Sequence, residues 1–127
     1  MKLLTKEWVE KAEGDWQVAQ REWQAKKPVY DAICFHCQQC VEKYLKALIQ
    51  EQGGEPFKTH DLLLLFEQIK GKERLIDEPQ KLTQLSAYAV NFRYPGEKAL
   101  KKEAEEALKI TKEIRVNIRK ALGIRKK

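Results

Sequence analysis

The chain contains 127 residues, of which 43% are hydrophobic and 35% charged, and its formal net charge is +6. This length supports one hydrophobic core but is too short for two, so we expect a single domain over residues 1–127. No stretch approaches the roughly 20 apolar residues of a membrane-spanning helix, and the N-terminus lacks the apolar run of a signal peptide. We therefore expect a cytoplasmic protein with no membrane partner.

The positive charge is concentrated near the end of the chain. Residues 1–97 contain 14 Lys and Arg against 15 Asp and Glu, whereas residues 98–127 contain 11 against 4. Such a surplus, with a basic tail at about residues 123–127, can attract phosphate backbones or acidic partners. It can equally offset the negative end of a terminal helix and improve solubility. Charge alone leaves both interpretations open.

The low content of helix breakers, 4 Pro and 6 Gly, favours helices over strands. Apolar residues recur every three or four positions, and no useful run alternates with the period of two that a strand requires. Short connections make successive helices antiparallel. The sequence therefore predicts an all-α, antiparallel up-and-down bundle of four to five helices, at about residues 5–26, 29–52, 60–70, 79–91 and 98–122.

Three tryptophans lie on one face of the first predicted helix. Together with Ala12 and Ala19, which lie between them, the three tryptophans Trp8, Trp16 and Trp23 follow one another at steps of three or four positions. A stripe packed on the core is the expected role, and a platform for stacking bases is the alternative. Thr5 is the predicted N-cap. Pro28 is expected to end the helix, because the residue before a proline avoids the α region.

Three cysteines, Cys34, Cys37 and Cys40, stand three residues apart in the second predicted helix. The spacing resembles part of an iron–sulfur ligand run, but the fourth thiolate and its proline are absent. In a regular helix these side chains fan across about 120° and cannot converge on one ion. We expect core packing, with metal binding and redox chemistry as alternatives, and no disulfide framework.

One aromatic residue of the second helix, Phe35, falls among polar positions. Gln38, Glu42 and Lys46 are expected beyond the edge of the buried arc of this helix, and Phe35 lies with them. Burial of Phe35 within the monomer is therefore not expected, and an apolar side chain stranded there indicates a contact with another chain.

Polar residues at the edges of the predicted core supply candidate functional groups. His36 lies at the rim of the buried arc and His60 at a helix start, and each is either a structural residue or a general base. Asp15 lies at the edge of the tryptophan stripe. It requires a partner, either Lys43 or Arg93, because an unpaired buried charge is costly. The sequence contains no nucleophile elbow, glycine-rich phosphate loop or paired-carboxylate motif.

The stretch Cys34–Leu48 resembles the second-helix motif of HEPN domains (higher eukaryotes and prokaryotes nucleotide-binding). In that family an aromatic-His-x-Gln-Gln run is followed by Glu-Lys and Leu-Lys-Ala, as it is here. The resemblance extends over about residues 5–122. Three further pieces agree in their order along the chain: Trp8, Ala12 and Asp15; Lys58, Thr59, His60, Asp61 and Leu62; and Arg93, Tyr94 and Pro95.

The resemblance implies an all-α bundle that is commonly a homodimer. In prokaryotes such a protein is often encoded beside a minimal nucleotidyltransferase, and many of these pairs look like toxin–antitoxin systems in which the HEPN protein is an RNase. That activity depends on an Arg followed a few residues later by a His. Arg93 stands at the matching place here, but no histidine follows it. The metal-independent RNase motif is therefore incomplete.

We therefore expect a nucleotide- or RNA-associated regulatory module of the HEPN type, dimeric, with a nucleotidyltransferase-like partner and without a cofactor or metal. One alternative is an RNase toxin in which His36 or His60 reaches Arg93 through the fold. Another is a dimeric adaptor whose polar residues only hold helices together. The Arg93 guanidinium can bind phosphate bidentately. The expected site is one polar groove, and its candidate residues are Asp15, His36, Gln39, Lys43, His60, Arg93 and Tyr94.

Overall fold

The computed structural model describes residues 1–124 and confirms the predicted all-α fold. The last three residues of the predicted basic tail lie outside the described part of the chain. Within residues 1–124 there are five α-helices and no strand. The helices are α1 (Leu3–Trp23), α2 (Tyr30–Glu51), α3 (Leu62–Glu67), α4 (Gln80–Asn91) and α5 (Lys101–Ala121), with one 3-10 helix (Lys72–Arg74) between α3 and α4.

Contacts between distant residues show the directions in which the helices run. The start of α1 meets the end of α2, where Thr5 Oγ1 donates to Glu51 Oε1 over 3.0 Å, so these two helices are antiparallel. The start of α2 meets the start of α5, where the Ala99 N–H donates to Asp31 Oδ1 over 2.7 Å. Helices α2 and α5 therefore run parallel, because α3 and α4 bring the chain back between them.

Helix α2 lies at the centre of the bundle and packs against α1, α3, α4 and α5. Twelve of its 22 residues are buried, so it is covered on most of its circumference. Gln38 and Glu42 are among them, at 2% and 4% exposed, and the expectation that they lie beyond the buried arc is wrong. The reason is that α3 and the segment before it cover this side of α2, which its own periodicity does not show.

Helix α1 begins and ends earlier than predicted. It starts at Leu3, so Thr5 is not its N-cap; the Thr5 side chain is buried and bonds to Glu51 instead. It ends at Trp23, several residues before Pro28. The Glu22 carboxylate accepts a 2.8 Å hydrogen bond from the N–H of Val29 and so closes the turn into α2.

The segment between α2 and α4 also differs from its prediction. Helix α3 has only six residues, and Asp61 caps it by accepting hydrogen bonds from the N–H groups of Leu63 and Leu64. Aspartate is one of the residues that helix N-caps prefer. The following connector contains mostly polar residues, yet it buries Leu75 and Ile76 at 2% and 3% exposed. These two side chains extend the core beyond the end of α3.

The tryptophans of α1 are partly buried, and each lies beneath a cation. The fully buried face of α1 consists of small residues such as Ala12 and Ala19, which allow close approach to the core. Trp16 and Trp23 pack against the core from its edge, as the core interpretation requires. The cations over the three rings are Lys46 at 5.4 Å from Trp8, Arg115 at 5.4 Å from Trp16 and Lys101 at 6.0 Å from Trp23.

A carboxylate on α1 joins three helices. Glu13 accepts two hydrogen bonds from the Arg115 guanidinium of α5, at 2.7 and 2.8 Å, and a short one from the Tyr44 hydroxyl of α2. Arg119 donates to the same hydroxyl over 3.2 Å. Burial acts to raise the pKa of Glu13, but the hydrogen bonds from Arg115 and Tyr44 outweigh it, so the pKa lies below its ordinary value.

Replacing Glu13 with Gln should lower the free energy of unfolding near neutral pH by about 2 kcal/mol, because hydrogen bonds to a charged group are lost. A carboxyl with a depressed pKa stabilises the fold above its unfolded pKa, and this contribution disappears as the pH falls through the folded pKa. The stability difference between wild type and Glu13→Gln should therefore shrink below about pH 4. Denaturant unfolding at several pH values measures it.

The control is Glu10→Gln, one turn away on the exposed surface of α1. It should leave stability nearly unchanged at every pH. A Glu13→Gln deficit that stays constant down to about pH 3, below the ordinary range of a glutamate, would show that charge on Glu13 is not what stabilises the helix junction.

Candidate functional site

Asp15 on α1 bridges the imidazole of His36 and the ammonium group of Lys43, both on α2. One carboxylate oxygen lies 2.8 Å from His36 Nδ1, and the other accepts a 2.6 Å hydrogen bond from Lys43 Nζ. Asp15 is 9% exposed, so this pairing compensates for removing its charge from water. Of the two expected partners of Asp15, the structure therefore has Lys43 and not Arg93.

A second cluster, also of a carboxylate, a histidine and a lysine, links α2 to the segment before α3. The buried Glu42 carboxylate lies 2.9 Å from His60 Nδ1 and accepts a 3.0 Å hydrogen bond from Lys46 Nζ. Its remaining partner is the Gln38 amide, 3.3 Å away. The His60 side chain is 82% exposed although its Nδ1 is held by Glu42. Its Nε2 therefore faces outward in a fixed orientation, as a positioned acid or base requires.

A cleft of about 820 Å³ opens beside this second cluster. Three of the residues predicted for the site, Gln39, His60 and Arg93, line it together. Phe35, the apolar residue expected to be stranded at the surface, contributes a half-buried aromatic ring to its wall. The other lining residues come from α2, the segment into α3, and α4: Gln38, Thr59, Asp61, Leu63, Thr83, Ser86, Ala87, Ala89 and Val90.

Arg93 differs from the other charged residues of the site in having no partner within residues 1–124. Its side chain makes no hydrogen bond or ion pair to the described residues. Packing against other side chains does not restrict the Arg93 side chain either, because Arg93 is exposed just beyond the end of α4. A guanidinium at the rim of a cleft with no carboxylate attached to it can accept an anionic ligand.

The remaining predicted site residues do not line this cleft. Asp15, His36 and Lys43 form their own cluster between α1 and α2. Tyr94 lies in the turn after α4, is 64% exposed, and is likewise absent from the cleft wall. The structure thus brings Gln39, His60 and Arg93 together and separates the other four candidates from them.

Sequence reasoning does not find the residues that position His60. Periodicity places Glu42 and Gln38 at the surface, although the family motif contains both and a buried carboxylate requires hydrogen-bonding partners. The Gln38 amide donates to the backbone carbonyl of His60 over 2.9 Å, which holds the segment before α3 against α2. A signal is present in the charge pattern, because Glu42 and Lys46 are spaced to pair on one helix.

The cysteines belong to the core. Cys34, Cys37 and Cys40 are fully buried, and within residues 1–124 no group of His, Cys, Asp and Glu is arranged to hold a metal ion. Burial raises the pKa of both Cys34 and Cys37 to about 12 and also raises that of Cys40. The neutral thiols are therefore poor nucleophiles, as core packing predicts.

None of the helices in the described part of the chain combines the length and the apolar character needed to cross a membrane. Helix α2, although the most buried, carries Asp31, Glu42, Lys43, Lys46 and Glu51 along its length.

Comparison with known proteins identifies the fold and the family. The crystal structure of TT1696 from Thermus thermophilus is similar over 91% of this chain and 96% of that chain, with a TM-score of 0.78. The two sequences are 24% identical, so this likeness shows a common fold. Comparison with curated proteins finds no match. The family model described as HEPN domain matches residues 5–120, which is most of the sequence, and the chain therefore belongs to the HEPN domain family.

Proposed function

We propose that this HEPN protein is a regulatory module that binds a nucleotide or an RNA end in the cleft between α2, α3 and α4. The observation that carries this proposal is the Arg93 guanidinium, which pairs with none of the residues 1–124 and lies at the rim of a cleft that also contains an aromatic ring and amide groups. Nucleotide sites in proteins typically combine an anion-binding group with a largely apolar wall and a few polar groups.

The lining of the cleft divides into parts suited to different parts of a nucleotide. Arg93 supplies a fixed positive charge for phosphate, and Thr83 and Ser86 of α4 supply hydroxyls. Phe35 and Val90 supply the apolar surface on which a base can lie, and stacking of a base on an aromatic ring tolerates any sequence. The cleft volume of about 820 Å³ lies within the range of small-molecule sites.

Isothermal titration with nucleoside monophosphates tests this proposal. Wild-type protein should bind, and both Arg93→Ala and Phe35→Ala should weaken binding by about tenfold, since each removes an interaction worth roughly 1 to 2 kcal/mol. Arg74→Ala, an exposed arginine of the 3-10 helix that does not line the cleft, is the matched control.

The same variants separate ligand binding from a purely structural role. Arg93→Ala should leave the melting temperature unchanged, because the Arg93 side chain bonds to no described residue. If it lowers the melting temperature and affects no binding, the protein is a structural adaptor. If no nucleotide or short RNA binds the wild type, the cleft is not a nucleotide site.

We further propose that the protein is a homodimer and acts with a nucleotidyltransferase-like partner, as in toxin–antitoxin pairs of this family. Val90, which lines the cleft, is 55% exposed, and Leu64, next in sequence to the lining residue Leu63, is 46% exposed. Exposed apolar surfaces often form contacts between chains. The basic face of α5, rich in Lys and Arg, is suited to an acidic protein or to RNA.

Light scattering coupled to gel filtration should give twice the 14.9 kDa mass of one chain. Val90→Lys should convert this species to monomer without unfolding it, because a charge cannot be buried in an apolar contact without cost. Gln84→Lys, at an exposed position of the same helix that does not line the cleft, is a control for added charge. In a pull-down, a tagged chain should also bind a nucleotidyltransferase encoded in the neighbouring reading frame. A chain that is monomeric and binds no such protein contradicts this part of the proposal.

A specific observation also favours a second function, a metal-independent RNase. His60 is held at Nδ1 by Glu42 and lines the same cleft as Arg93, so a histidine from another part of the chain is available in place of the motif histidine that this sequence lacks. The imidazole Nε2 could take a proton from a ribose 2′-hydroxyl while the guanidinium of Arg93 stabilises the phosphate charge.

Incubation of the protein with short RNA in the presence of EDTA tests the RNase function. If the site is catalytic, His60→Ala and Arg93→Ala should each lower the cleavage rate by at least about a hundredfold. Arg74→Ala should leave the rate unchanged, because Arg74 is exposed and does not line the cleft. Intact RNA with wild-type protein, or cleavage that all three variants retain, would exclude this function.

A further inference from the structure

The orientation of one amide in the cleft is determined by its neighbours. The Gln38 side-chain nitrogen donates to the backbone carbonyl of His60 over 2.9 Å and lies 3.3 Å from the Glu42 carboxylate. A backbone carbonyl can only accept a hydrogen bond, so the NH₂ group of Gln38 must face it. The Gln38 oxygen is therefore turned away, toward Gln39.

This arrangement fixes the next amide in turn. The Gln39 nitrogen donates to Gln38 Oε1 over 2.8 Å. If the Gln39 amide were rotated by half a turn, two carbonyl oxygens would face each other at that distance, and the hydrogen bond would become a repulsion. Gln39 Oε1 is therefore the atom of this amide that does not face Gln38. It can only accept a hydrogen bond, and none from residues 1–124 reaches it.

The Gln39 oxygen lies beside the surface on which a base can stack. Phe35 and Gln39 are four residues apart on α2, so their side chains are neighbours on the same face of the helix. Both line the cleft. A flat ring lying on Phe35 thus has one edge within reach of a carbonyl oxygen that can only accept a hydrogen bond.

We infer that Gln39 selects nucleotides whose base carries an exocyclic amine, because its oxygen is a preset acceptor for an amino hydrogen. The inference rests on the proposed nucleotide-binding function and goes further by naming the feature of the base that is recognised. The buried Gln38 is a positioning residue in this scheme, since its oxygen accepts the hydrogen bond that orients the Gln39 amide.

Three pairs of nucleoside monophosphates test the inference, because the members of each pair differ only by an amine replaced with hydrogen. They are AMP and purine riboside 5′-monophosphate, GMP and inosine 5′-monophosphate, and CMP and the monophosphate of pyrimidin-2-one riboside. For wild-type protein, at least one amine-bearing nucleotide should bind about tenfold more tightly than its partner, the effect of one well-formed hydrogen bond.

Substitutions at Gln39 then identify the source of the preference. Gln39→Leu should reduce the ratio of the two affinities to about one, because it removes the acceptor oxygen. Gln84→Leu on the exposed side of α4 is the control for loss of an amide and should leave the ratio unchanged. Circular dichroism of each variant verifies that it is folded.

The outcomes are distinguishable. An amine preference that Gln39→Leu abolishes and Gln84→Leu retains supports the inference. Equal affinity within all three pairs, with binding that still depends on Arg93, overturns the role of Gln39 and leaves the proposed function intact. A preference that survives in Gln39→Leu also overturns it. If no nucleotide binds, the proposed function fails and the inference fails with it.

Discussion

The burial of α2 on most of its circumference is the constraint on which the rest of the structure depends. A helix in that position must satisfy every polar side chain it carries, since a buried group without a hydrogen bond costs more than a bond contributes. Among the described residues no buried side-chain nitrogen or oxygen lacks a partner. For Glu42 this requirement is met by His60, Lys46 and Gln38, so the same bonds that stabilise the core also orient a histidine at the surface.

The fold could be predicted from the sequence because its signals are local. Apolar spacing predicts five helices, and the residues that end them are nearby in the chain, as Gly53 shows after α2 with a left-handed φ of 85°. What could not be predicted depends on distant contacts. Thr5 resembles an N-cap in its local sequence, yet its partner is Glu51 at the far end of α2. Leu75 and Ile76 lie in a polar connector and are buried by the helices around it.

The candidate site, like the fold, could be predicted from the sequence only in part. The chemistry of Gln39, His60 and Arg93 marks them as candidates from sequence, and these three meet in the cleft. Periodicity could not show that α3 covers Gln38 and Glu42, because that depends on a segment much further along the chain. It also could not choose between Lys43 and Arg93 as the partner of Asp15, because both are cations and only the packing of α1 on α2 decides the distance.

The two His–carboxylate–Lys clusters show how burial, rather than composition, separates a structural role from a ligand-binding one. Both carboxylates hold a histidine at Nδ1 and a lysine at Nζ, at distances between 2.6 and 3.0 Å. The His36 side chain is only 28% exposed, and Asp15 joins it to the helix that covers it. The His60 side chain is 82% exposed and lies in a cleft wall. The same combination of a carboxylate, a histidine and a lysine thus joins α1 to α2 in the first cluster, and in the second it leaves the His60 imidazole exposed in the wall of the cleft.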